Sequence, residues 1–135
     1  MIIESPLISC GRSAAFLYEY LSEPSNLEPL LPAEHVSEFS AEGDACSFKV
    51  TGGFAVVLKR LEGEADSIVR YASQKGTPIR FTLDVVIEPL GKEVSSVHIQ
   101  CDADLNPFMK MMAEKPLQGI FQGMASAAEK AFPVA

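Results

Sequence analysis

Apolar and polar residues alternate with period two through the middle of the chain and recur at helical spacing toward its two ends. The N-terminal run, residues 2–9, begins with Ile2-Ile3 and reads as one short strand, broken by Gly11-Arg12-Ser13. Ser13 can cap the helix that follows, in which Phe16, Leu17, Tyr20 and Leu21 share a face. Pro24 ends it, because the residue before a proline disfavours helical geometry. A second short helix, about 24–31, carries Leu27, Leu30 and Leu31 and stops at Pro32. Period-two runs follow at about 34–42, 44–52, 54–62, 67–74, 78–88 and 93–104. The breaks at Gly43-Asp44, Gly52-Gly53, Gly63 to Asp66, Lys75 to Pro78 and Pro89 to Lys92 are too short for the crossovers that parallel strands need. The strands therefore form an antiparallel meander.

Alternation also assigns the faces. Phe81, Leu83, Val85 and Ile87 share one side, and Arg80, Thr82 and Asp84 the other; Val97, Ile99, Cys101 and Ala103 oppose His98, Gln100 and Asp102. One face is wet and one apolar, and the apolar face needs a cover. The C-terminal segment from Leu105 to Phe132 supplies it as a helix about 40 Å long at ~1.5 Å per residue. On it Leu105, Met109, Met112, Leu117, Ile120, Phe121 and Met124 fall on one arc, opposite Met111, Gln118, Gln122 and Glu129. Pro116 predicts a kink or break near residues 112–116. The expected fold class is α+β: a six- to seven-stranded antiparallel sheet around a long C-terminal helix, with two short helices after the first strand. One domain spans residues 1–135.

The charge of −7, from 11 basic and 18 acidic residues among 135, argues against nucleic acid and anionic membranes as partners, and no Lys/Arg cluster offsets it locally. No apolar stretch is long enough to span a bilayer. Leu7-Ile8-Ser9-Cys10 has the look of a lipoprotein cleavage box, but no basic residue precedes it and Glu4 and Pro6 interrupt its apolar run. Cys10, Cys46 and Cys101 are odd in number and irregularly spaced, which suits reduced thiols in a cytoplasm. No cysteine pair has metal-ligand spacing, and His35 and His98 lie far apart, so neither metal nor cofactor is expected.

This order of elements resembles the helix-grip fold of the START-like superfamily, also called SRPBCC or Bet v 1-like, over nearly the whole chain from Ile2 to Phe132. The local stretches carrying the resemblance are Phe16-Leu17-Tyr18-Glu19-Tyr20-Leu21-Ser22-Glu23-Pro24-Ser25-Asn26-Leu27 and Asn106-Pro107-Phe108-Met109-Lys110-Met111-Met112-Ala113-Glu114-Lys115-Pro116-Leu117. The second stretch, with Cys46-Ser47-Phe48, is similar to a small single-domain bacterial subgroup of Bacteroidetes type without an assigned function. The resemblance implies an apolar cavity between sheet and helix that holds a small hydrophobic molecule such as a lipid or polyketide. Some relatives are cyclases, but no catalytic motif transfers residue by residue, so no catalytic residue is named.

Such a cavity would be lined by Phe48, Val50, Phe54, Val56, Leu58, Tyr71, Phe81, Leu83, Val85, Phe108, Met109, Met112 and Phe121. Arg60 shares parity with Val56 and Leu58, so it either reaches a ligand carboxylate at the cavity mouth or snorkels into water at the strand end. Tyr71 either presents its hydroxyl to the cavity or satisfies a backbone group. Gly119, Gly123, Ala127 and Ala131 form a small-residue line that either leaves room for a ligand or lets the helix approach its neighbours. Asp102/Asp104 and Glu62/Glu64 lie at strand ends and read as turn and solubility chemistry, not a catalytic dyad. A cyclase or dehydratase in the same cavity would need two or more ionisable groups converging inside. A protein-interaction module with a collapsed cavity would use the exposed Met111 and the Pro116 kink, and a homodimer is left open.

Overall fold

The computed structural model describes residues 1–51 and 53–134; Gly52, half of the expected Gly52-Gly53 turn, lies outside them. Among these residues the elements run β1 (Ile2–Glu4), β2 (Ile8–Cys10), α1 (Ala14–Ser22), a 3₁₀ helix (Pro24–Leu30), β3 (Val36–Glu42), β4 (Ala45–Val50), β5 (Ala55–Glu64), β6 (Ile68–Ser73), β7 (Arg80–Pro89), β8 (Ser95–Asp104) and α2 (Pro107–Ala131). The strands form one antiparallel sheet in the order β1-β8-β7-β6-β5-β4-β3, with β2 also paired to β8. β3 to β8 are the expected meander.

The N-terminal run is two strands, not one, so the sheet has eight strands among the described residues rather than six or seven. Pro6 is the cause, since it has no N–H to give the ladder. Ser5 bridges the gap: its backbone N–H donates to the Ile99 carbonyl and its Oγ accepts from the Ile99 N–H, each at 2.8 Å.

Period two places the faces as the pattern implies. Phe81, Leu83, Val85 and Ile87 on β7 and Val97, Ile99, Cys101 and Ala103 on β8 are all buried. On the outer face Arg70 pairs with Asp84, its cross-strand partner, through two hydrogen bonds of 2.8 and 3.1 Å. That contact raises the guanidinium pKa further.

Both helix starts are capped. Ser13 Oγ accepts from the Phe16 N–H at 3.1 Å, and Asn106 Oδ1 accepts from the Met109 N–H at 2.8 Å, with Pro107 in the first turn where its missing N–H is not needed. Of the kink or break expected near residues 112–116, the break does not occur: α2 runs unbroken through Pro116. Ala113 and Leu117, on either side of the proline, are both buried, and their packing holds the helical path despite one lost hydrogen bond. The small-residue line serves close approach where it meets the rest of the fold. A Cβ on Gly123 would stand 2.7 Å from Pro32 Cγ, and one on Gly119 would stand 3.4 Å from His35 Nε2. The C-terminal end of α2 is also tied down. The Gly11 N–H donates to the Phe132 carbonyl at 2.7 Å, and the Phe132 ring meets Phe16 and Tyr20 edge-on at 5.7 and 5.2 Å.

Cys10, Cys46 and Cys101 are free and buried. Burial pushes the Cys10 and Cys46 thiols from the ordinary 9.0 up to about 11, with Glu129 adding to the effect at Cys10. Burial, then Asp102, pushes Cys101 up to about 12, with the N-terminal ammonium opposing. A raised thiol pKa stabilises the fold fully below pH 9.0, and that contribution disappears as pH rises through 11 to 12.

Two outcomes are expected. At pH 8 a thiol reagent leaves the native protein unlabelled and modifies all three cysteines in denaturant, while the melting temperature falls as pH is raised above 9; fast labelling of folded protein would contradict the burial. Gly123→Ala, measured by urea unfolding, destabilises by about 1–3 kcal/mol through overpacking against the rigid Pro32 ring. Gly91→Ala, which meets nothing within 4 Å, serves as the neutral control.

Candidate functional site

The interior between sheet and helix is built in layers, because strand residues step inward by two and helix residues by three or four. The deep layer takes Phe48, Val56, Leu58, Phe81 and Leu83 from the sheet, Leu27 from the 3₁₀ segment and Leu31 from its C-cap, and Leu117, Ile120, Phe121 and Met124 from α2. These side chains leave about 10 Å³, the space of at most one water, and offer it no polar partner. The expected deep cavity is therefore filled. The large side chains of the layer take up the volume a ligand would need, with Gly123 letting α2 lie close against Pro32.

One layer outward the packing opens. Gly53, Phe54, Pro78, Ile79, Met109, Met112, Ala113 and Pro116 line a hollow of about 250 Å³ that faces solvent. Each element contributes the residue just before its deep-layer member: Phe54 precedes Val56, Ile79 precedes Phe81, and Ala113 precedes Leu117 by one turn. This is the mouth of the same interior. It stays open because the first turns of α2 run beyond the core, leaving Met112 63% exposed although the helical arc places it inward.

The structure distributes the sequence-predicted lining residues among several places. Phe54, Met109 and Met112 line the open hollow. Phe48, Val56, Leu58, Phe81, Leu83 and Phe121 line the filled layer, while Val50 and Val85 are buried and border neither. Phe108 is 70% exposed and is not part of the hollow's walls. Tyr71 is fully buried, and its hydroxyl donates to the Leu21 carbonyl at 2.6 Å, so it satisfies the backbone instead of a cavity. Burial is the main reason its pKa is raised, with Cys46 adding, Arg60 opposing and Glu23 adding. Arg60 keeps the parity of Val56 and Leu58, but β5 outruns the core. Its Nη1 donates to the Ser22 carbonyl at 3.0 Å, at the end of α1 where a cation suits the helix dipole. It borders a polar surface groove of about 540 Å³ with Tyr18, Glu19 and Arg70, remote from the mouth's lining.

Gly53, Pro78, Ile79, Ala113 and Pro116 complete the hollow and are not among the expected lining residues. Ile79 shares parity with Phe81, a signal present in the sequence. Nothing local marks Ala113. The walls contain no ionisable or metal-ligating side chain except thioether sulfurs, so their chemistry is burial of apolar surface with methionines adapting to shape. Among the described residues no cluster of His, Cys, Asp and Glu could hold a metal ion, and no helix is long and apolar enough to cross a membrane.

No protein-family model matches the chain, and no curated protein matches it in sequence. Solved structures do match in shape. Norcoclaurine synthase from Thalictrum flavum, in complex with dopamine and hydroxybenzaldehyde, superposes with a TM-score of 0.72 at 18% identity, covering 97% of this chain and 85% of that one. A START superfamily protein from Mycobacterium smegmatis gives 0.68 at 12% identity over 96% and 98% of the two chains. The di-domain ARO/CYC BexL of the BE-7585A biosynthetic pathway gives 0.70 at 12% identity over 96% of this chain and 45% of its own. With a sheet that grips one long C-terminal helix and matches of this extent, the chain has the helix-grip fold of the START-like, or SRPBCC, superfamily.

Proposed function

We propose that this single-domain protein binds a small apolar molecule at the mouth of its grip, in a bacterial cytoplasm, without nucleic acid or a resident cofactor. The observation that carries the reading is the 250 Å³ hollow with apolar walls directly above a filled core. Its volume lies just below the roughly 300–1,000 Å³ of ordinary ligand pockets. An apolar cavity of about 150 Å³ accommodates benzene, so one or two rings or a short acyl segment fit here. Structural relatives point the same way: norcoclaurine synthase is seen with two small aromatic molecules. Binding is preferred over cyclase chemistry because the walls supply no ionisable group to move a proton. Ligand affinity comes from burying apolar surface, at about 25 cal/mol per Å², with Met109 and Met112 adjusting to the occupant.

A second reading, an interaction module, draws support from the filled core and from the exposed Phe108, Met111 and Met112 beside the mouth.

The test combines two measurements. Native mass spectrometry of protein purified from its own host is expected to show a reproducible co-purifying hydrophobic mass. In vitro, 1-anilinonaphthalene-8-sulfonate is expected to bind the folded protein and to be displaced by fatty acids or small aromatics. Met112→Glu should weaken dye binding about tenfold, near 1.4 kcal/mol, while Leu90→Ser, at an exposed apolar site outside the hollow, leaves it unchanged. An empty protein that ignores dye, fatty acids, sterols and aromatics alike would refute the reading.

A further inference from the structure

The first turns of α2 carry an exposed face that shares only Met112 with the ligand hollow. Phe108, Met111 and Met112 are 70%, 86% and 63% exposed, and Lys115 is exposed beside them. Their spacing of i, i+3, i+4 and i+7 sets all four on one side of the helix, opposite the buried Ala113 and Leu117. Three large side chains at this exposure present on the order of 400 Å² of apolar surface. That equals the largest patch an ordinary monomer shows, a size that usually marks an interaction site.

We propose that two copies of this chain associate through this face, with their α2 helices antiparallel about a twofold axis between Met111 and Met112. The face is self-complementary in that arrangement. Positions equidistant from the axis meet, so Phe108 of each copy lies against Lys115 of the other and Met111 against Met112. Each ammonium then rests on an aromatic ring, and each thioether on a thioether. A parallel crossing would instead set Lys115 beside Lys115.

Charge selects the same occupant. The chain as a whole carries −7, yet residues 107–116 contain two lysines and one glutamate, so two copies approach here through a surface that does not share the chain's net negative charge. Charges farther apart than about 8 Å are screened at physiological salt. An anionic bilayer gains little from two lysines on an otherwise acidic molecule. The area sets the strength: two faces bury on the order of 800 Å², in the range of weak, reversible complexes. Because Met112 belongs to both the face and the hollow, the second copy also narrows the open side of the mouth. That last consequence rests on the ligand reading above; the association itself does not.

Sedimentation equilibrium of the full chain from about 1 to about 500 µM is expected to show a monomer–dimer equilibrium in the upper part of the range. Met111→Glu, outside the hollow's lining, should weaken association at least about tenfold. Phe108→Lys, which sets lysine against lysine, should do the same, and Phe108→Lys combined with Lys115→Phe should restore the dimer to within about threefold. Circular dichroism confirms the fold of each variant. Monomer throughout, a dimer indifferent to Met111→Glu, or failure of the double exchange to restore it would each overturn the proposal. So would a monomer that co-sediments with phosphatidylcholine/phosphatidylglycerol vesicles, which would give the face to lipid. Dye binding is read separately, so loss of the dimer and loss of the ligand site remain distinguishable.

Discussion

An antiparallel sheet with one apolar face must have that face covered, and here the long helix α2, the short helix α1 and the 3₁₀ segment share the covering. Their separation from the sheet decides what the interior can hold. Pro32, just past the 3₁₀ segment, lies so near Gly123 that a Cβ there would stand 2.7 Å from its ring, so α2 lies closer to this segment than any residue but glycine allows. The consequence is a core sealed to about 10 Å³ along most of its length. Where the glycine contacts end and the helix passes the strand ends, the seal ends too, and the open hollow begins.

The two ends of α2 are held differently. At the C-terminal end a backbone hydrogen bond from Gly11 and the Phe16, Tyr20 and Phe132 rings fix the helix to α1 and β2. Arg12 lies over two of those rings at 5.1 and 5.9 Å. At the N-terminal end an asparagine cap and a proline start the helix, but Phe108, Met111 and Met112 have no neighbours covering them. Anchorage at one end and exposed apolar side chains at the other concentrate recognition at the mouth. The shell thus keeps a packed interior and leaves its usable apolar volume at the rim.

What the sequence made legible follows from how local each signal is. Strand bounds and faces come from period-two alternation, and all eight apolar positions it turns inward on β7 and β8 are buried. Ser13 announces its cap, and Pro24 the end of α1. The missed features are those set by distant contacts. Whether Gly123 makes room for a ligand or for Pro32 depends on residues 91 positions apart in a chain whose fold brings them together. Arg60 has the parity of an inward residue, yet parity does not say that β5 outlasts the core. Met112 lies on the apolar arc, yet the arc does not say where the sheet stops. Pro6 was a readable signal of a broken edge strand, since a proline cannot donate to the ladder.

The central claim is that an apolar ligand occupies the rim and not the interior, and the methionines provide the means to test it. Of five in the sequence, Met109 and Met112 line the hollow and Met124 lies in the filled layer, while Met111 projects into solvent. The direct measurement is a titration of ¹³C-methyl-methionine protein with 1-anilinonaphthalene-8-sulfonate, held at a protein concentration low enough to remain monomeric and followed by NMR. The account predicts that the Met109 and Met112 methyl signals shift together and saturate while Met124 stays in place. A shift centred on Met124, with Met109 and Met112 unmoved, would contradict it.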